Sequence, residues 1–177
     1  MKKLASILLL ASISAFTFSQ GHLTKTAYVS FYSKMEDVKA ENFSGTSELN
    51  TETGELLFSF AIQSFKFENA TMQQHFNEAD VMNSKEFPKA KFVGLIINNA
   101  DVKYTVDSEY PITVKGELTI KDKTNTIETK GMIKVEGGKI YSSATFTLDR
   151  FEYGVKGKAQ SISQVLDLTV KAEYEKI

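Results

Sequence analysis

Few side chains in this sequence are of the types that perform catalysis. There is no cysteine, so a thiol nucleophile and a thiolate metal ligand are both excluded. The two histidines, His22 and His75, lie 53 residues apart and in no motif of metal-ligand spacing. The Gly-x-Ser-x-Gly, phosphate-loop and dinucleotide-binding patterns are also missing. We therefore predict no catalytic residue, no metal site and no cofactor.

Two places remain as candidates for polar chemistry. Asp149-Arg150 and Glu152 could form an acidic catalytic cluster, although a charged rim of the fold with a local ion pair is the simpler interpretation. His75 could contact the head group of a ligand, or it could hydrogen-bond a backbone carbonyl at one end of the fold. We favour the structural interpretation in both cases.

The segments that would position these side chains have the period of β-strands. Apolar residues recur at every second position, with polar residues between them. Gly137-Gly138, between two such segments, predicts a hairpin turn, and Lys123–Asn125 predicts another. The residues predicted to face inward are Ala27, Val29 and Phe31; Phe43, Gly45 and Leu49; Leu56, Phe58, Phe60 and Ile62; Phe92, Gly94 and Ile96; and the alternate positions of 112–120, 127–135, 140–148 and 166–174.

One segment departs from this period and indicates a helix. Asn69 is a favourable N-cap residue, and Met72, Phe76 and Ala79 follow it at helical spacing. The sequence therefore predicts a short helical insertion near residues 69–80.

Eight strands with one apolar and one polar face can form a sandwich or a barrel. Several of the predicted strands are long and joined by hairpins, which favours a closed barrel without free edges. We predict an all-β fold, an eight-stranded antiparallel barrel with an apolar interior. A barrel of eight strands encloses room for side chains alone or for one small ligand.

The N-terminus has the pattern of a secretory signal peptide. Met1–Lys3 is positively charged, and residues 4–18 form an uncharged run of 15 residues, shorter than the roughly 20 needed to span a membrane. We predict a signal peptide at 1–19 and one domain at 20–177, periplasmic or secreted and without stable membrane insertion. After cleavage, 19 basic and 22 acidic side chains give a net charge of −3, which argues against a nucleic-acid partner.

The predicted inward face is rich in phenylalanine. Composition alone is equally compatible with a packed core and with a ligand cavity, because both need large apolar side chains. A series of short motifs favours the cavity. It consists of Ile62–Phe65, Met72–Phe76, Ala79–Met82, Phe87–Phe92, Gly116–Ile120 with Thr124, Leu148–Arg150 and Tyr153–Val155. In order and spacing this series resembles the signature of the YceI-like family across essentially the whole exported part.

The resemblance implies a lipocalin-like barrel that binds an apolar chain lipid, such as a polyisoprenoid, a quinone-like tail or a fatty-acyl chain. Gly94, Gly116 and Gly131 would leave room for it. Val81-Met82 replaces the usual aromatic pair, so no particular ligand is carried over from the family. The predicted ligand-binding residues are Phe31, Phe43, Phe58, Phe60, Met72, Phe76, Phe92, Ile96, Leu118 and Phe146.

Two other functions stay open at the level of the sequence. A filled barrel could serve as a structural or interaction module, with no continuous cavity and an exposed apolar patch outside. A hydrolase or isomerase acting on a bound lipid would need His75 or Asp149 to face the cavity. A homodimer is also an open alternative for the assembly.

Overall fold

The alternating segments form antiparallel β-strands in the computed structural model, which describes residues 21–157 and 162–176. The predicted signal peptide, 1–19, lies outside the described residues. The strands are β1 (Gly21–Ser33), β2 (Val38–Asn50), β3 (Glu55–Ala61), β4 (Lys66–Phe67), β5 (Lys89–Ile96), β6 (Ser108–Ile120), β7 (Lys123–Glu136), β8 (Lys139–Asp149) and β9 (Val165–Lys176). The helix α1 (Ala70–Phe76) follows β4, and short 3₁₀ turns lie at Met35–Asp37, Ile62–Ser64, Asn99–Asp101 and Arg150–Tyr153.

Hydrogen bonding between the strands closes the sheet into a barrel. Within the described residues, the strand order is β1-β9-β8-β7-β6-β5-β3-β2, and β1 also pairs with β2. The two-residue β4 lies outside this ring, where Phe67 pairs with Ala40 of β2. The predicted eight-stranded antiparallel barrel is therefore confirmed.

The predicted helix begins where its N-cap placed it. The Asn69 Oδ1 atom accepts hydrogen bonds from the backbone N–H groups of Thr71 (2.8 Å) and Met72 (3.2 Å). The helix ends at Phe76, earlier than the predicted boundary near residue 80, and the chain continues in turns. No helix in the described part of the chain has the length and apolar character required to cross a bilayer.

The inward prediction for Phe43 is wrong because of a β-bulge. Between the pairs Ala27–Gly45 and Val29–Asn42, β1 advances by two residues and β2 by three. Asn42 stabilises this extra residue, since its Oδ1 accepts from Ser44 N (2.9 Å) and its Nδ2 donates to a carbonyl of β3 (2.9 Å). Phe43 thus points outward and is 60% exposed.

Of the two predicted hairpin turns, one is confirmed and one is displaced. Gly137 and Gly138 have φ angles of +58° and +78°, which suit a tight hairpin with glycine at both central positions. The other turn lies at residues 121–122, where Lys121 adopts φ +57°, so that Lys123 already pairs with Ile120 in the β6–β7 ladder.

One end of the barrel is filled with apolar side chains, and we call it the packed end. The segment between β5 and β6 covers it, with Val102 and Tyr104 packed against the barrel core. The packed end consists of Ala27, Leu49, Ile96, Val102, Tyr104, Ile133, Val135, Ile140, Ala172 and Tyr174.

Candidate functional site

The other half of the barrel interior is hollow. A cavity of about 520 Å³ lies there, within the range typical of small-molecule sites. On β7 the change occurs along one strand: Ile127 and Thr129 line the cavity, whereas Ile133 and Val135 are buried in the packed end. The cavity wall is almost entirely apolar, because the inward positions of the strands carry aliphatic and phenylalanine side chains.

The structure brings most of the predicted ligand-binding residues together around this cavity. Ile96 is instead buried in the packed end, and Phe43 lies on the outer surface, where its ring packs 5.0 Å from that of Tyr28. The predicted residues that line the cavity are Phe31, Phe58, Phe60, Met72, Phe76, Phe92, Leu118 and Phe146.

Four phenylalanines form a cluster where α1 and β4 cover the barrel. Phe31, Phe65, Phe67 and Phe76 have ring centroids 5.1–5.8 Å apart, in tilted and edge-on contacts that favour aromatic pairing. Phe65 and Phe67 also line the cavity and are not among the residues predicted from the sequence. The two phenylalanines are two residues apart, which is the period of a strand. The strand at this place, β4, has only two residues, so the pattern is too short to be recognised.

The glycines of the wall do not leave the open space expected from the sequence. Gly94 and Gly116 pair across β5 and β6, and the ring of Phe92 lies over them. A Cβ atom would come within 2.5 Å of the Phe92 Cζ atom at Gly94 and within 2.7 Å at Gly116. At Gly131 a Cβ atom would meet a backbone oxygen of β8 at 2.7 Å. These glycines therefore accommodate a ring and a neighbouring strand.

Polar and charged side chains border the mouth of the cavity, beside α1. His75, Glu78, Asp80 and Lys156 contribute to this rim. His75 is half-exposed and its Nδ1 atom lies 3.0 Å from the Glu78 carboxylate, so it does not cap a backbone carbonyl as the sequence analysis had favoured.

Asp149 has a local structural role and is not part of the cavity lining. Its carboxylate accepts from the backbone N–H of Phe151 (2.9 Å), which caps the 3₁₀ turn, and from Gln164 Nε2 (2.6 Å). This arrangement does not bring Asp149 into contact with a molecule in the cavity.

Arg150 organises the segment that follows β8 and borders the mouth. Its guanidinium is buried and donates hydrogen bonds to the carbonyl oxygens of Val155 (2.7 Å), Lys156, Ile162 (3.0 Å) and Ser163 (2.9 Å). Burial lowers the pKa of this guanidinium. The guanidinium therefore bonds the backbone carbonyls of residues 155–156 and 162–163. It does not form the local ion pair with a carboxylate that the sequence suggested.

Lys121 connects two segments of the rim. Its Nζ atom donates to the carbonyl oxygens of Val81 (2.8 Å) and Gly154 (3.4 Å). The backbone N–H of Gly157 also donates to Asp80 O (3.4 Å). The turns after α1 and the loop after β8 are therefore held against each other at the mouth.

A chain of three hydroxyl groups lies at the inner end of the cavity. The Tyr174 hydroxyl oxygen is 2.8 Å from Ser47 Oγ and 3.1 Å from Ser142 Oγ, and all three side chains are buried. Burial raises the pKa of Tyr174 to about 12. Only Ser142 of the three also lines the cavity.

The described residues provide no set of metal ligands. Across residues 21–157 and 162–176, no three or more histidine, cysteine, aspartate or glutamate side chains are grouped closely enough to hold a metal ion. The cavity can bind through apolar contact and through the hydroxyl at its inner end.

The family model for the YceI-like domain matches residues 11–174. The chain belongs to the YceI-like family. A UPF0312 protein of Pseudomonas putida (strain W619) is 31% identical over 111 residues, which is 59% of this chain and 54% of that protein. A UPF0312 protein of Pseudomonas syringae pv. syringae (strain B728a) is 29% identical over 111 residues, with the same coverage. The matched segment thus spans about half the length of these curated relatives.

Solved structures of low sequence identity share this fold. A polyisoprenoid binding domain from Saccharophagus degradans, implicated in plant cell wall breakdown, superposes with a TM-score of 0.77 at 12% identity, over 89% of this chain and 99% of that domain. BcnA of Burkholderia cenocepacia gives a TM-score of 0.69 at 16% identity, over 84% and 96% of the two chains. At these identities the likeness establishes the fold alone.

Proposed function

We propose that this YceI-like protein binds one long apolar chain lipid inside the barrel, of the polyisoprenoid, quinone-like or fatty-acyl class. The single observation that carries the proposal is the 520 Å³ cavity with its almost wholly apolar wall. Pockets of this size and character are the usual sites of small apolar ligands. A lipid chain bound there would make dispersion contacts with the apolar wall.

The energetics of such binding need no polar residue. Each buried methylene contributes about 0.8 kcal/mol, so ten methylenes would contribute roughly 8 kcal/mol before the cost of ordering the chain. Affinity of this origin depends on the wall as a whole, and it fits a chain whose sequence offers no catalytic motif.

The fold neighbour from Saccharophagus degradans is described as polyisoprenoid binding, and it shares this architecture over most of its length. That likeness supports the same class of ligand here.

We further propose that the protein acts as a carrier or sequestering protein in the periplasm or in the secreted space. The signal-like segment 1–19 supports export. A lipid tail in an aqueous compartment exposes its methylene groups to water, and enclosure in the barrel removes that cost.

The two other functions have less support from the geometry. A filled barrel should contain no continuous cavity, which the hollow half of this barrel contradicts. An enzyme acting on the bound lipid would need Asp149 or His75 at the cavity. Asp149 is engaged elsewhere, and His75 stands at the rim beside Glu78.

The test is mass spectrometry of organic extracts from the purified full-length protein, followed by titration of the delipidated protein with the apolar fluorescent probe N-phenyl-1-naphthylamine. We expect one class of apolar chain lipid in the extract and saturable uptake of one probe molecule per chain. An extract free of lipid together with no uptake of the probe would contradict the proposal.

A further inference from the structure

Ser142 is the polar side chain at the inner end of the cavity wall. On β8 the inward residues Leu148, Phe146, Ala144 and Ser142 line the cavity in turn, and the next inward residue, Ile140, is buried in the packed end. At roughly 3.3 Å per residue, Ser142 lies about 20 Å along the strand from Leu148. A lipid chain that fills the cavity would therefore end against Ser142.

The three linked hydroxyl groups of Ser47, Tyr174 and Ser142 carry one O–H hydrogen more than the hydrogen bonds between them require. Ser47, Tyr174 and Ser142 each carry one O–H hydrogen, whereas two hydrogen bonds connect them. One of these three hydrogens is thus free for a third partner. Since Ser47 does not line the cavity and Ser142 does, the Ser142 hydroxyl is the end that a ligand can reach.

The position of this hydroxyl is fixed in advance. Ser142 lies in the interior of β8, paired with Ile133 on one side and with Ala172 on the other. The Tyr174 ring is held in the packed end, so its hydroxyl can accept or donate without moving. A donor held in this way favours an end group that accepts a hydrogen bond over one that does not.

We propose that the inner end of the cavity is a polar subsite in which the Ser142 hydroxyl donates a hydrogen bond to a carbonyl oxygen at the inserted end of the lipid. The inference rests on the proposed function and narrows it: the ligand carries a ketone, quinone, ester or amide carbonyl on the end that lies deepest. The rest of the chain then extends past Phe92 and Phe146 to the mouth beside α1.

A pair of probes that differ only in the carbonyl tests the subsite. Heptadecan-2-one and heptadecane, of equal chain length, are titrated against delipidated wild-type protein by displacement of N-phenyl-1-naphthylamine. The variants are Ser142→Ala and Ser142→Cys; cysteine has the shape of serine with a larger terminal atom, and it donates more weakly. The matched control is Ser47→Ala, which removes a hydroxyl from the same chain without touching the cavity.

We expect Ser142→Ala and Ser142→Cys to reduce the preference for the ketone over the alkane by roughly three- to tenfold, the range for one hydrogen bond, with alkane affinity unchanged. Ser47→Ala should keep the wild-type preference. The infrared carbonyl band of bound ¹³C-labelled ketone should move to higher frequency in Ser142→Ala, because the hydrogen bond is lost.

The outcomes separate the two proposals. Wild-type protein that binds both probes with a preference unaltered by either Ser142 substitution overturns the subsite and leaves lipid binding intact. Wild-type protein that takes up neither heptadecanone, heptadecane nor the fluorescent probe overturns both.

Discussion

The packed end and the hollow half of this barrel are built from the same strands, with the same alternation of inward and outward residues. On β7, Ile133 is fully buried, whereas Ile127 lines the cavity six residues away. A two-residue period therefore determines which side chains point inward, but it does not determine whether they meet across the interior. That depends on summed side-chain volumes and on how each end is covered.

The two ends are also covered differently. Val102 and Tyr104 insert apolar side chains against the core at the packed end. At the mouth, α1 and the segment ordered by Arg150 border the opening with charged groups, and Lys121 holds the two sides together. The segment at the packed end fills the interior, whereas the segments at the mouth leave the cavity accessible.

The largest expected effect compares Ile133→Ala with Ile127→Ala. Ile133→Ala should lower the free energy of unfolding by about 3–4 kcal/mol, because it opens a new cavity in close-packed surroundings. Ile127→Ala should cost only about 1 kcal/mol, because its side chain is partly exposed to a cavity that already exists. Urea unfolding of both variants measures the difference, and equal costs would mean that the two halves are packed alike.

The next effect concerns pH. Because burial raises the pKa of Tyr174 to about 12, against about 10 in the unfolded chain, the folded state retains a proton that the unfolded state loses. This contribution to stability is complete below pH 10 and falls by about 2–3 kcal/mol as the pH rises to 12. The stability of wild type relative to Tyr174→Phe should therefore decline over that window. A difference that does not change with pH would indicate that Tyr174 is not buried in a packed end.

Two alanines offer a matched pair for filling the interior. Ala144→Phe adds a ring to the hollow half, where it should weaken binding of N-phenyl-1-naphthylamine at least about tenfold, since displacing even two methylenes' worth of contact costs roughly 1.6 kcal/mol. Its unfolding free energy should stay near that of wild type. Ala172→Phe adds the same ring to the packed end and should destabilise by about 1–3 kcal/mol.

Fluorescence titration and urea unfolding measure both variants. Unimpaired binding by a folded Ala144→Phe protein would show that the probe binds elsewhere.

The smallest effect is expected at the mouth. Lys121→Met removes two hydrogen bonds to rim carbonyls at a partly exposed position, with a cost of about 1 kcal/mol or less. Because these bonds hold the two sides of the rim together, release of the probe in stopped-flow measurements should become a few times faster. Lys123→Met is the control, since Lys123 lies two residues further on, at the start of β7, and is exposed and paired with Asp122; this variant should release the probe at the wild-type rate.

Much of the barrel could be predicted because most strands alternate without interruption. The inward face of β9, from Leu166 to Tyr174, is an example. Phe43 could not be placed, because the bulge depends on Asn42 reaching a carbonyl of β3, which is a tertiary contact. The sequence showed only a regular Phe43, Gly45, Leu49 spacing that the extra residue then shifted.

Most residues of the cavity wall could be predicted from the sequence, whereas the position at which the cavity ends could not. Phe31, Phe58 and Phe146 could be assigned inward from spacing alone, whereas the assignment of Ile96 to the packed end follows from the way other strands fill that end. Ser142 has the inward phase of β8, but nothing in its spacing indicates Tyr174 behind it. Such contacts join residues distant in sequence, and no local pattern reports them.

Native mass spectrometry of the full-length protein, purified without delipidation and beside Ala144→Phe, tests the central claim most directly. Wild type should retain the mass of one apolar chain lipid per protein chain, whereas Ala144→Phe, folded but with a ring in the hollow half, should retain little or none. Wild type observed only at the mass of the bare polypeptide, or Ala144→Phe carrying the same lipid, would contradict that claim.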